Sequence, residues 1–185
     1  MTAPLQRERV DLRVVVNRAI ETLEGEIHER NHRLTTELPN ASVWLRADPR
    51  RLEQVFVNLL ANASRYTDAG GQVAVRVQAR NGEAIIQVRD SGVGIAPEAL
   101  PHLFDLFKPD NAADPGSGAG LGVGLALVRN LVELHRGSVI ATSAGVGQGS
   151  EFTVRLPMEE GSVSRRLGSV AQLPDAVAVR HDGML

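Results

Sequence analysis

Three groups of residues in this chain have the types and spacings that chemistry requires. Asn58 and Asn62 stand four apart on the polar side of an apolar-periodic stretch, beside Arg51, Gln54 and Arg65. Asparagine forms helices poorly, so two at this spacing either lie on a solvated face, at roughly a few tenths of a kcal/mol each, or use their carbonyl oxygens. Such oxygens suit a hard cation such as Mg²⁺, which brings phosphates with it. Asp90 ends the alternating row Ala84, Ile86, Val88, and a carboxylate on an apolar face must meet a donor. That donor is either the backbone of its own turn, Asp90-Ser91-Gly92, or a ligand group such as the exocyclic amine of adenine, with Gly92 and Gly94 admitting a flat base. The third group is Pro115 to Leu134, PGSGAGLGVGLALVRNLVEL, where glycines at 116, 118, 120, 122 and 124 run straight into a helical pattern. Free amides and the positive end of a helix dipole suit a phosphate. No Lys-Ser or Lys-Thr follows these glycines and no strand runs into them, so the two familiar phosphate-loop templates do not apply.

The elements that must carry these residues are legible. Asp11 is placed to cap a helix with Leu12, Val15, Val16, Ala19, Ile20 and Leu23 on its apolar face and Val10 as staple, ending near residues 29–31. Extended pieces follow at 33–38 and 42–46, split by Pro39-Asn40. His28 and His32, four apart with no third ligand in view, read as solvated surface histidines. Asp48-Pro49 starts a second helix whose core face is Leu52, Val55, Phe56, Leu59, Leu60 and Ala63. A hairpin follows, with Val73, Val75 and Val77 on one arm, Asn81-Gly82 as a type I′ turn, and residues 84–89 returning. Residues 95–120 hold many breakers, and Leu103, Phe104, Leu106 and Phe107 predict a loop docked on something apolar. The glycine-led helix presents Leu121, Leu125, Val128 and Val132, widened by Leu127, Leu131 and Leu134, and is expected to end on Gly137. Strands at 138–143 and 150–156 close the pattern, with Phe152, Val154 and Leu156 inward, and beyond Pro157 no periodicity is sustained.

The chain has 185 residues, 43% of them hydrophobic, which suits one domain with a tail. A net charge of −2 gives no electrostatic reason to propose nucleic acid or an anionic membrane as partner. With no cysteine there is neither a disulfide framework nor a thiolate metal site, and a reducing, cytoplasmic setting is the expectation. Lys108 is the only lysine, and no apolar run approaches membrane-spanning length.

In this order the pieces resemble the ATP-binding catalytic domain of bacterial sensor histidine kinases, within the group that includes DNA gyrase B, Hsp90 and MutL. DPRRLEQVFVNLLANASRYT (Asp48 to Thr67) resembles the N box of that family, and DSGVGI (Asp90 to Ile95) its first glycine box. LFDLF (Leu103 to Phe107) resembles the F box, GLGVGLALV (Gly120 to Val128) the second glycine box, and GQGSEF (Gly147 to Phe152) the closing one. The resemblance runs from about Val10 to Pro157 and implies an α+β, two-layer sandwich of the Bergerat type. Its mixed, mostly antiparallel sheet would have about five strands, with about three helices on one face and a mobile lid. It divides the chain into an extension (1–9), the catalytic domain (10–157) and a tail or linker (158–185).

The resemblance also implies roles. Asn62 matches the Mg²⁺ ligand, with Asn58 one turn earlier beside the phosphates. Arg65 falls where a phosphate-side lysine is usual, and Asn58, Asn62 and Arg65 form the implied catalytic set. Tyr66 falls where an aromatic packs beside the nucleotide. Asp90 matches the carboxylate that accepts from the adenine amine, Gly92, Gly94 and Ile95 line the base pocket, and Ser150 serves the same network. Gly120, Leu121, Gly122, Val123, Gly124 and Leu125 match the segment that closes over the triphosphate, with residues 95–119 as lid. In the F box Leu106 replaces a usual proline. Hydrolysing members carry a glutamate as general base where this chain has Asn58, so the implied activity is transfer of the γ-phosphoryl group of ATP, with Mg²⁺, to a supplied histidine. None of His28, His32, His102, His135 or His181 lies in a phosphoacceptor context, and His135 matches a position where a cap is expected. The implied partners are a helical dimerisation and phosphoacceptor domain, a response-regulator receiver domain, and a second kinase copy in a homodimeric parent, with no nucleic acid or membrane contact. An excised or stand-alone catalytic domain is the expectation. The alternatives are a serine kinase of the anti-sigma-factor type and a non-catalytic ATP-binding sensor of the same fold.

Overall fold

The computed structural model describes residues 4–105 and 123–159. The glycines from 116 to 122, Leu106 and Phe107 of the F-box stretch, and the tail from residue 160 lie outside the described residues.

Asp11 ends a short strand, β1 (Glu8–Asp11), and caps α1 (Leu12–Glu29) by accepting from the backbone N–H of Arg13. The helix stops because Asn31 takes a left-handed conformation at φ 57°. The N–H of Asn31 then reaches the carbonyl of His28 and that of His32 the carbonyl of Ile27, the paired bonds of a Schellman ending. β2 (Arg33–Glu37) follows, then β3 (Trp44–Ala47), then α2 (Pro49–Tyr66), capped by Asp48 as its Asp-Pro start requires. β4 (Gln72–Arg80) and β5 (Glu83–Asp90) form the expected hairpin, with Asn81 at φ 54° and Gly82 at φ 77°, both in the region a type I′ turn demands. After a single 3₁₀ turn at Leu100–His102 come α3 (Val123–Leu134), β6 (Ser138–Thr142) and β7 (Ser150–Pro157).

Five strands form one sheet in the order β2-β4-β5-β7-β6, parallel between β2 and β4 and antiparallel elsewhere. Strand parity puts Val73, Val75, Val77, Ala84, Ile86, Val88, Phe152, Val154 and Leu156 on one buried face. The three helices bring their buried stripes to this core, α2 lying between α1 and α3 and against β5. This is the two-layer α+β fold that the resemblance implies.

The structure corrects three sequence readings and adds a strand that none of them held. β3 lies outside the main sheet. It pairs with β1, whose sequence ERVD has no alternation to announce it, and Arg9 lies 4.2 Å from the Trp44 ring centroid while bonding Glu159. His32 is buried, its Nε2–H donating to the Thr67 carbonyl at 3.1 Å, because the Schellman turn folds it under α1. Leu134 is 40% exposed, and Ala126 is buried in the stripe that Leu134 was expected to widen. Lastly, the left-handed residue after α3 is Arg136, at φ 59°, not Gly137. Gly137 is needed for closeness instead, since a Cβ there would fall on the Arg155 carbonyl of β7.

His135 ties α3 to α2. It is buried, with Nδ1–H donating to the Leu131 carbonyl at 2.7 Å and Nε2 accepting from the backbone N–H of Asp48 at 3.0 Å. Burial is the largest influence and pushes its pKa below 6.5, opposed by the bond to the Leu131 carbonyl and by Asp48 and aided by Arg7. The native state therefore prefers the neutral ring, while the unfolded chain takes up a proton below about pH 6.5. The contribution of His135 is complete above that pH and is lost as pH falls. Melting temperature is expected to drop between about pH 7.5 and about pH 5.5, with a flatter profile in His135→Gln. Asp48 acts in a separate, lower window. Burial raises its pKa, but the N–H groups of Gln6, Arg51 and Arg50 outweigh this and hold it below 3.8, so its stabilisation is lost only in stronger acid.

Candidate functional site

The two parts of the site are joined through α2. The first lies at one end of the sheet, where Asp90, the last residue of β5, stands opposite Ser150, the first of β7. Asp90 is only 6% exposed. Its Oδ1 accepts from the N–H of Gly92 at 2.8 Å and of Ser150 at 3.3 Å, and its Oδ2 accepts from the Ser150 hydroxyl. The turn reading of Asp90 is thus realised, and β7 supplies the rest of its partners. A carboxylate offers about four lone-pair directions. Three donors among the described residues leave one on Oδ2, able to accept from an amine presented by a ligand.

The turn after Asp90 is held from both sides. The Tyr66 carbonyl, at the end of α2, accepts from Val93 N–H at 3.0 Å. From the β6–β7 connection, Gly147 N–H donates to the Val93 carbonyl at 2.6 Å and Gly149 N–H to the Gly92 carbonyl at 3.0 Å. Gly94, at φ 70°, could not carry a Cβ without striking the Gly145 carbonyl, and a Cβ at Gly92 would strike the Tyr66 carbonyl. Chain packing by itself therefore requires glycine at both positions. Ile95 packs half-buried against the core, with its N–H donated to the Ser143 hydroxyl at 3.0 Å. Ser143 drew no notice in the sequence reading, the only signal being a serine where β6 gives way to a glycine-rich turn.

The second part is the polar face of α2. Asn58 Nδ2 donates to the Gln54 carbonyl at 2.9 Å, which turns its Oδ1 toward the first turn of α3. A Cβ added at Gly124 would sit 3.5 Å from that oxygen. Asn62 is half-buried one turn further along the face, and Arg65 and Tyr66 are exposed at its end. Leu125 packs against the core beside this face, Val123 opens α3, and Gly120, Leu121 and Gly122 lie outside the described residues. Among the described residues no group of three or more His, Cys, Asp or Glu could hold a metal ion. A cation on this face would take an asparagine carbonyl oxygen, a donor type that suits a hard divalent ion. Of the four residues expected to dock on something apolar, Leu103 and Phe104 pack on the core, with Phe104 edge-on to Phe152 at 6.2 Å.

Residues 47–160 match the family of histidine kinase-, DNA gyrase B- and HSP90-like ATPases. The chain belongs to that family. The circadian input-output histidine kinase CikA of Synechococcus elongatus is 38% identical over 157 residues, which is 84% of this chain and 21% of CikA. The mycobacterial sensor histidine kinase MprB matches at a TM-score of 0.70 and 26% identity, covering 83% of this chain and 98% of that one. Full-length ShkA in complex with AMPPNP matches at 0.72 and 28% identity, over 85% of this chain and 32% of that one. This chain therefore spans about a fifth of the length of CikA. Within the family's frame Asn58 and Asn62 lie on the matched helix and Asp90 on the matched sheet. No helix among the described residues is long and apolar enough to cross a membrane.

Proposed function

We propose that this chain is the ATP-binding catalytic domain, from about residue 10 to 157, of a two-component sensor histidine kinase. It would pass the γ-phosphoryl group to a histidine on a helical dimerisation domain, from which a response regulator would take it. The observation that carries this reading is the joining of two half-sites by one helix. The turn that follows Asp90 is held at Val93 by the Tyr66 carbonyl at one end of α2, and the Asn58 oxygen faces Gly124 two turns earlier. That arrangement offers an acceptor for a 6-amino purine at one end and oxygens for a cation with its phosphates at the other.

In this mechanism Asp90 orients the base, with Ser150 fixing the carboxylate. Asn62 would hold Mg²⁺ through its carbonyl oxygen, with Asn58 one turn earlier beside the phosphates. When bound, the ion neutralises phosphate charge and orients the transferring group. Arg65, exposed at the end of α2, supplies a permanent positive charge to the phosphate side. Asn58 cannot take a proton, so the chain holds no general base at that position to activate water. Transfer to a supplied nucleophile is the chemistry this site favours over hydrolysis, and the isolated chain should bind ATP without lasting autophosphorylation.

The test is incubation with ATP labelled at the γ-phosphate and a separately produced helical phosphoacceptor domain. Label is expected on the acceptor in an acid-labile, base-stable form, the behaviour of phosphohistidine. Acid-stable label on a partner's serine would favour the serine-kinase alternative. Binding of Mg²⁺-ATP with no transfer to any acceptor would favour a sensor.

A further inference from the structure

We propose that Ser143 is a positioning residue for the base end of this site, acting through the backbone on either side of Asp90. The inference rests on the reading of that site as a nucleotide site. Ser143 follows β6 and is half-buried. Its hydroxyl donates to the Gly149 carbonyl at 2.7 Å, with the Gly145 carbonyl a longer alternative at 3.2 Å. The same oxygen accepts from the N–H of Ile95 at 3.0 Å and of Gly145 at 3.2 Å. One O–H and two lone pairs are the whole capacity of a serine hydroxyl, and all three are engaged.

A serine at the end of a strand often does no more than bond its own turn two residues on, and the Gly145 contact is of that kind. The other two contacts reach further. Ile95 closes the turn that begins at Asp90, and Gly149 immediately precedes Ser150, whose hydroxyl bonds Asp90 Oδ2. A Cβ at Gly149, which sits at φ 68°, would strike the Asp90 carbonyl, so the Gly149 backbone passes directly against that of Asp90. Ser143 thereby holds one flank of the base site and, one peptide away, the residue that aims the recognising carboxylate.

Ser143→Ala leaves the Ile95 N–H and the Gly149 carbonyl without this partner, while Ser143→Thr keeps the hydroxyl. ADP titration well below the melting transition of each variant is expected to show affinity reduced roughly tenfold in Ser143→Ala and within about twofold of wild type in Ser143→Thr. The Ile95 amide should exchange hydrogen faster in Ser143→Ala without nucleotide, and threonine should restore its protection. Asp90→Asn is titrated alongside. Wild-type ADP affinity in Ser143→Ala, with binding lost in Asp90→Asn, would overturn the role of Ser143 and leave the site reading standing. So would a threonine variant that recovers melting temperature but not affinity. Wild-type affinity in Asp90→Asn would remove the nucleotide reading and the Ser143 inference together.

Discussion

Asp90→Asn is expected to weaken adenine-nucleotide binding by about 10–100-fold, the scale of one hydrogen bond to a charged group. The change should barely alter the fold. The amide oxygen can keep the bonds from Gly92 and Ser150 N–H, and the Ser150 hydroxyl can rotate to accept from the new NH₂. What changes is the lone-pair site facing the ligand, which becomes a donor. A 6-amino purine then meets a donor with a donor, whereas a 6-oxo purine meets it with an acceptor. Affinity for inosine or guanine nucleotides should therefore rise as affinity for adenine nucleotides falls. Titration of ADP and IDP against both proteins, beside their melting temperatures, checks this. A parallel loss for both bases would show that Asp90 acts on the fold and not on the base.

The second large effect is expected at Asn62. Asn62→Ala removes a carbonyl oxygen from the half-buried face of α2 without changing charge, and Asn62→Asp keeps an oxygen but adds charge. In Asn62→Ala, nucleotide affinity with Mg²⁺ should fall on the order of tenfold or more, while affinity in EDTA should change little. Phosphoryl transfer should fall at least as far, since it depends on the charge being neutralised at the phosphates. Equal losses with and without the metal would remove Asn62 from the cation site and leave it a packing residue.

The sequence alone makes most of these positions legible, because the site sits on elements with strong periodic signals. The Leu52 to Ala63 stripe placed Asn58 and Asn62 on the opposite face of the same helix. The parity of Ala84, Ile86 and Val88 buried Asp90. Contacts between distant segments were harder to read. Nothing local in ERVD announces a strand that exists only because Trp44 to Ala47 lies beside it. His32 looked solvated because the turn that buries it is made by Asn31, and its partner Thr67 is 35 residues away. The close approaches that demand glycine are equally non-local: Gly92, Gly94 and Gly137 each stand where another backbone passes too close for a Cβ. Ser143 was missed for the same reason, its partners Ile95 and Gly149 being set by how two loops meet.

The central claim is that the polar face of α2 and the Asp90–Ser150 pair together form a Mg²⁺-dependent adenine-nucleotide site. Calorimetric titration of the chain with AMPPNP and with its guanine counterpart, each with and without Mg²⁺, tests it most directly. Saturable binding of AMPPNP at one site, tighter with Mg²⁺ and much weaker for the guanine compound, is the predicted result. Equal affinity for the two bases, or no saturable binding of either, would contradict it.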